Sequence, residues 1–156
     1  ALENGPKDWL NIDISVLPGI TAMLAASARA GAPLGHDFCA INLSDNLKPW
    51  SIIEKRLRLA AEADFAMAFY NPRSKSRPEG FERTLEILKD ACGDDRPVIF
   101  ARNVSRPDET IKIVPLSQTT ADMADMRTMV LVGSSQTRII EREIGTIVYT
   151  PRSLTK

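Results

Sequence analysis

The run Gly35-His36-Asp37-Phe38-Cys39-Ala40-Ile41-Asn42-Leu43-Ser44-Asp45 holds the chain's only histidine and one of its two cysteines, with a serine and two aspartates close in sequence. Those residue types could supply a nucleophile, its general base and an orienting acid. The spacing argues against that use. Phe38 to Leu43 reads as a strand, and successive strand residues point to opposite faces, so a nucleophilic Cys39 gains no local partner from His36 or Asp37. Cys39 shares a face with Ile41 and Leu43 and reads as a small buried hydrophobe, as unpaired cysteines commonly are. His36 and Asp37 read as turn residues. Ser44 and Asp45 differ because they end the strand, where a side chain can meet a ligand.

A second group is Pro18-Gly19-Ile20-Thr21-Ala22. It joins an expected strand, Ile12 to Leu17, to an expected helix, Ile20 to Ala30. Gly19 would admit close backbone approach, and the first-turn amides of the helix offer donors at its positive dipole end. Thr21 is either a cap or a ligand contact. A third group is basic: Arg73, Lys75 and Arg77 lie in one loop, with Arg102 and Arg106 after a later strand. Arginine forks suit carboxylates bidentately, so several on one rim would fit a small molecule with many carboxylates.

The elements that must hold these residues alternate. Helices are expected from Pro49 to about Glu62 and from about Glu79 to Ala91, and strands at 64–70, 97–101, 110–114 and 128–132. The fold class is α/β, with a mixed, mainly parallel sheet covered by helices on both faces. The 110–114 strand follows its predecessor too closely for a crossover helix and should pair with it antiparallel. Ligands of open α/β sheets sit beyond strand carboxyl ends, which places Thr21, Ser44-Asp45, Tyr70-Asn71-Pro72, Arg102-Asn103 and Gly133-Ser134-Ser135 on one shared rim. Residues 139–156 read as a tail with a late extended piece at 146–149. Ala1 to Pro6 reads as the last turn of a helix, with Gly5 and Pro6 as its stop.

Composition limits the partners. The 156 residues suit one domain, and twenty basic against twenty acidic residues give no net charge, which argues against nucleic acid bound by bulk charge. Cys39 and Cys92 stand far apart without neighbouring thiols, so no zinc site or redox pair is expected, and reduced cytoplasmic thiols are the simplest reading. No apolar run approaches the ~18 residues that span a bilayer. No Gly-x-Gly-x-x-Gly or phosphate loop supports a general nucleotide binder.

Taken together, Val16 to Ala22, Gly31 to Cys39, Leu43-Ser44-Asp45 with Pro49-Trp50, Phe69 to Ser74, Ala101-Arg102-Asn103 with Arg106 to Glu109, and Val132 to Ser135 resemble the tetrapyrrole methylases of cobalamin synthesis. The Pro-Gly-Ile-Thr turn is common to that family. The GHDFC, LSD, YNPRS and RPDE segments resemble its C-17 branch in particular. The resemblance implies a two-domain homodimeric enzyme that binds S-adenosyl-L-methionine between two α/β domains, with residues 1–156 as the second domain. It implies methylation of precorrin-3B to precorrin-4 with ring contraction, or the same step on cobalt-precorrin-3, and otherwise a non-catalytic fragment that binds cofactor or tetrapyrrole. By position it assigns Gly19, Ile20, Thr21, Ala22, Tyr70, Asn71, Asn103 and Val104 to the cofactor. For the reaction so implied, Lys48, Arg73, Arg77 and Arg102 are expected as clamps on the substrate's acetate and propionate groups, and Asp45 or Ser44 as aids to proton movement during contraction. Relatives often place methionine where Asn71 stands and Asn-Gly where Asn103-Val104 stands.

Overall fold

The computed structural model describes residues 2–74 and 78–153. Residues 2–4 form a turn, and Lys7–Asn11 a short 3-10 helix. Helix α1 (Ala22–Ala30) follows, built from strong helix formers and capped by Thr21. It ends at Gly31, whose φ of 128° suits only glycine; a Cβ there would stand 2.5 Å from the Val148 carbonyl oxygen. That close approach belongs to β1 (Gly31–Ala32), a two-residue strand. Next come β2 (Phe38–Asn42), α2 (Trp50–Glu62), β3 (Ala66–Tyr70), α3 (Glu79–Ala91), β4 (Pro97–Arg102) and β5 (Thr110–Pro115). After two 3-10 turns, β6 (Thr128–Val132), β7 (Arg138–Ile140) and β8 (Ile147–Tyr149) complete the chain.

The five-stranded sheet has the order β2-β3-β6-β4-β5. Its alternate residues feed two cores. Ile41, Met67, Phe69, Val98, Phe100, Val130 and Val132 face α2 and α3, where Phe81 meets Phe100 edge to face at 6.2 Å. Ala68, Ile99, Ala101, Met129 and Leu131 face α1 and Val148. Small residues at 68 and 101 let the alanine face of α1, Ala26 and Ala30, sit close to the sheet. Helices cover both faces, as the alternating pattern requires.

Three expectations need correction. The main sheet is mixed but not mainly parallel: only β2 and β3 pair parallel, whereas β6 runs against β3 and β4, and β5 against β4. The β4–β5 hairpin reverses the chain, and the 116–127 connection keeps that reversed direction before β6 inserts between β3 and β4. In consequence the carboxyl end of β6 lies at the other edge, where the Gly133 amide donates to the Pro97 carbonyl, and Gly133-Ser134-Ser135 leave the proposed rim. The expected 139–156 tail instead contains most of the second sheet, β1-β8-β7, with the late extended piece as β8.

The third correction concerns 12–17, which is not a strand among the described residues. Ile12, Ile14, Val16, Leu17 and Ile20 are all exposed, Val16 at 90%. Their alternation is that of a strand, but no neighbouring strand of the described chain supplies a ladder, and a lone strand gains too little to form.

Candidate functional site

The edge where β2, β3 and β4 end, and β6 begins, carries two cavities that share Asn71. The first, of 340 Å³, is lined by Ala22 and Ala25 of α1, Tyr70 and Asn71 after β3, Ala101, Asn103 and Val104 around the end of β4, and Thr128 and Met129 of β6. The second, of 240 Å³, is lined by Asp45, Trp50, Asn71, Pro72 and Arg83 among others.

Local conformation explains why these residues stand there. Asn71 and Asn103 follow their strands with φ of 51° and 49°, left-handed values that asparagine tolerates better than most side chains. Each turns the chain sharply at the sheet edge. The Asn71 amide donates to Asn42 Oδ1 at 3.1 Å, tying the ends of β3 and β2 together. The Asn103 amide donates to Asp108 Oδ2 at 2.6 Å, and its main-chain N–H donates to the Arg127 carbonyl. Val104 keeps an ordinary backbone; the left-handed demand falls on Asn103 and on Ser105, at 65°.

At the amino end of α1, Thr21 Oγ1 accepts from the Leu24 amide at 3.4 Å, and Tyr70 Oη accepts from the Met23 amide at 3.4 Å. Thr21 is thus the helix cap, and α1 is fastened to the end of β3. Replacing Thr21 with alanine lowers stability by about 0.5–1 kcal/mol, the ordinary cost of an exposed cap, and thermal denaturation checks it.

Ala22, Tyr70, Asn71, Asn103 and Val104 therefore meet in the first cavity, and Asp45 reaches the second. Gly19 and Ile20 line neither. Ile20 is 86% exposed, and a Cβ on Gly19 would meet nothing within 4 Å. The Ser44 amide donates to Asn42 Oδ1, and Lys48 Nζ donates to the Ser44 carbonyl, so both brace the turn after β2. Arg73 stands between two residues of the second cavity's wall, with its Nε enclosed and unpartnered among the described residues. Arg77 lies outside the described residues. Arg102 is not an open clamp: its Nε donates to Asp125 Oδ2 at 2.9 Å, and Nη1 lies 3.8 Å from Asp108 Oδ2. Burial opposes the charged form of Asp125, yet hydrogen bonds from Thr128, Arg102 and the Arg127 amide outweigh it and hold this carboxyl below its usual range.

The chain's histidine and first cysteine take separate places. His36 and Asp37 line a small cavity near Asp64 and Thr150, whereas Cys39 packs against the α2–α3 core. Burial pushes its thiol above the ordinary value, which leaves it a poor nucleophile. Sequence reading overlooked Met126 to Met129, because β6 was assigned the wrong direction, and Arg83, whose guanidinium lies 4.6 Å from the Trp50 ring centre. Among the described residues no group of three or more His, Cys, Asp or Glu side chains could hold a metal ion, and no helix is long and apolar enough to cross a membrane.

The fold is thus an α/β domain whose sheet edge carries two neighbouring cavities, small side chains at one helix start and asparagines at the strand ends. Residues 2–120 match the model of the tetrapyrrole (corrin/porphyrin) methylases, and the chain belongs to that family. It is 54% identical over 97% of its length to a precorrin-3B C(17)-methyltransferase from Sinorhizobium sp, of which it covers 60%. It is 38% identical over 99% of its length to a probable cobalt-factor III C(17)-methyltransferase from Salmonella typhimurium, of which it covers 62%. The crystal structure of the methyltransferase CobJ superposes with a TM-score of 0.91 at 61% identity, over 96% of this chain and 61% of that one. The cobalamin biosynthetic enzyme cobalt precorrin-4 methyltransferase, CbiF, shares the fold with a TM-score of 0.60 at 23% identity, over 81% of this chain and 54% of that one. The chain thus spans about three fifths of the length of these two curated relatives.

Proposed function

We propose that this chain forms one wall of the cleft of a precorrin-3B C(17)-methyltransferase, or of its cobalt-substrate counterpart, and that the first cavity takes S-adenosyl-L-methionine. The observation that carries this reading is the meeting of Ala22, Tyr70, Asn71, Asn103 and Val104 around one cavity, from segments up to 82 positions apart in sequence. The lining fits the cofactor's chemistry: alanines and Met129 offer an apolar seat for a ring, while Asn71, Asn103 and the main chain at the strand ends offer hydrogen bonds. Bound there, the cofactor supplies a methyl group on a positively charged sulfur.

The residues of this chain then act by placement. Asn71 belongs to both cavities, so the second cavity is where the acceptor carbon would approach, and alignment at about 3–3.5 Å supplies much of the rate. Asp45, which lines the second cavity, is the side chain assigned to exchange a proton with the substrate. Arg73 and Arg77 are assigned to the substrate's carboxylates; Arg73 is flanked in sequence by Pro72 and Ser74, which line the second cavity. Exposed Ile12, Ile14, Val16, Leu17 and Ile20 support a further part of the protein lying against this segment as the cleft's other wall. A homodimer and a cytoplasmic setting complete the reading.

The test incubates the intact protein with S-adenosyl-L-methionine and precorrin-3B or its cobalt form. Mass spectrometry should show substrate heavier by one methyl group, with equimolar S-adenosylhomocysteine. Cofactor binding without transfer to either tetrapyrrole would favour a non-catalytic binder. Arg73→Ala should raise the KM for the tetrapyrrole about tenfold with a smaller change in kcat, the expected loss of one charge-assisted contact. An unchanged KM would remove Arg73 from the substrate site.

A further inference from the structure

The segment after β4 is bound more tightly than a surface loop requires. Asn103 donates to Asp108 Oδ2, and the Ser105 amide donates to Glu109 Oε2 at 2.7 Å. The other Glu109 oxygen accepts from Arg29 Nε at 2.7 Å. The Arg106 amide closes onto the Asn103 carbonyl, and the Glu109 amide onto the Arg106 carbonyl. Asn103 and Ser105 are the two left-handed residues of the segment, and they flank Val104. Left-handed serine is strained, so the conformation needs outside support. Each of the two residues donates one hydrogen bond to a carboxylate of the Asp108-Glu109 pair.

Arg29 extends this support across the cavity. It sits in the last turn of α1, whose first turns carry Ala22 and Ala25 on the cavity wall, while Asn103, Val104 and Arg106 form the facing wall. The Arg29–Glu109 ion pair therefore joins the two walls behind the cavity. The Ser105 amide foremost, and Arg29 next, hold the Glu109 carboxyl below its ordinary range, so it is charged wherever the protein is handled near neutrality.

We infer that Asp108, Glu109 and Arg29 are positioning residues: they hold Asn103 and Ser105 left-handed and fix the distance between α1 and the Val104 main chain, and thereby set affinity for the nucleoside part of the cofactor. The inference rests on the cofactor reading above, and none of the three side chains is assigned to the first cavity's lining.

The test uses the intact protein and two readouts. Calorimetry with S-adenosylhomocysteine should show Asp108→Ala and Glu109→Ala weakening binding about three- to tenfold each, as expected for one lost hydrogen bond. Asp108→Asn and Glu109→Gln, which keep an acceptor oxygen, should recover most of it. Hydrogen exchange without ligand should show faster exchange at the Ser105 amide in Glu109→Ala. The decisive comparison places Glu109→Ala in a Ser105→Gly background: glycine adopts the left-handed conformation unaided, so the loss there should shrink. A full-sized loss in that background, or unchanged affinity and exchange in the alanine variants, overturns the inference. Failure of the unaltered protein to bind S-adenosylhomocysteine would overturn the cofactor reading, and the exchange result would still decide whether the clamp exists.

Discussion

Replacing Ala25 with phenylalanine should abolish cofactor binding while leaving the fold intact. Ala25 is half-buried on the α1 face that lines the first cavity, next to 340 Å³ of open space. A ring introduced there has room to enter the cavity instead of forcing the core apart, so the overpacking penalty of a filled site does not apply. It would occupy the apolar seat between α1 and Met129. The dissociation constant for S-adenosylhomocysteine should rise about a hundredfold or more, some 2.7 kcal/mol. The thermal midpoint should stay close to that of the unaltered protein. Normal affinity in Ala25→Phe would mean that the nucleoside lies elsewhere.

Asp64→Ala should do the opposite, lowering stability sharply and leaving affinity alone. Asp64 stands at the far edge of the sheet with φ of 55°, a left-handed value that aspartate tolerates. Its carboxylate accepts from Arg96 Nη1 at 2.8 Å, from the Ser135 amide at 2.8 Å and from the Ser135 hydroxyl at 2.5 Å. Arg96 is 9% exposed, and removing Asp64 leaves its guanidinium, among the described residues, with the Gly133 carbonyl at 3.3 Å. An uncompensated buried cation is costly, but Asp64 is itself partly open to water, so the loss should be about 2–4 kcal/mol by denaturant unfolding. Asp64→Asn should lose less, since it keeps acceptors and the tolerance for that backbone.

The same contact carries a pH dependence. Burial works against the charged form of Asp64, yet the Ser135 hydrogen bonds and Arg96 outweigh it and hold the carboxyl below its ordinary 3.8. A lowered folded-state value favours folding above the unfolded-state value, and the contribution disappears as pH falls through the folded one. Acid unfolding should therefore begin at higher pH in Asp64→Ala. Identical acid transitions would remove this contact from the stability account.

Much of the architecture was legible because local signals agreed. Pro49 and Pro78 precede α2 and α3, and the apolar spacing of Phe81, Leu85, Ile87 and Leu88 matches the buried face of α3. β6 was read at its observed limits, since five consecutive apolar or small residues buried on both faces leave little alternative. Its direction was not legible. Strand direction depends on how a connection crosses the sheet, and nothing local in 116–127 reports that path. From that one gap followed both misplacements on the rim: Gly133-Ser134-Ser135 were assigned to it, and Thr128 and Met129 were left out.

The segment 12–17 failed for another reason. Its alternation is clear, but a strand needs a partner strand, and pairing is a property of the whole protein. At the site, Tyr70, Asn71 and Asn103 could be read as strand ends, whereas the engagement of Arg102 by Asp125 depends on a loop 23 residues away. No composition or spacing rule announces such a contact. Arg83 was hidden similarly: on a helix rich in charges it looks solvated, and only the packing of α3 against α2 lays it over Trp50.

The central claim is that the edge bearing the ends of β3 and β4, with the start of α1, holds the cofactor. Photo-crosslinking the intact protein with an azido-adenosyl analogue, followed by peptide mapping, tests it most directly. Labels are predicted within residues 22–25, 70–71, 101–106 or 126–129. Labels confined to His36, Asp37 and 133–137, at the opposite edge, would contradict the account.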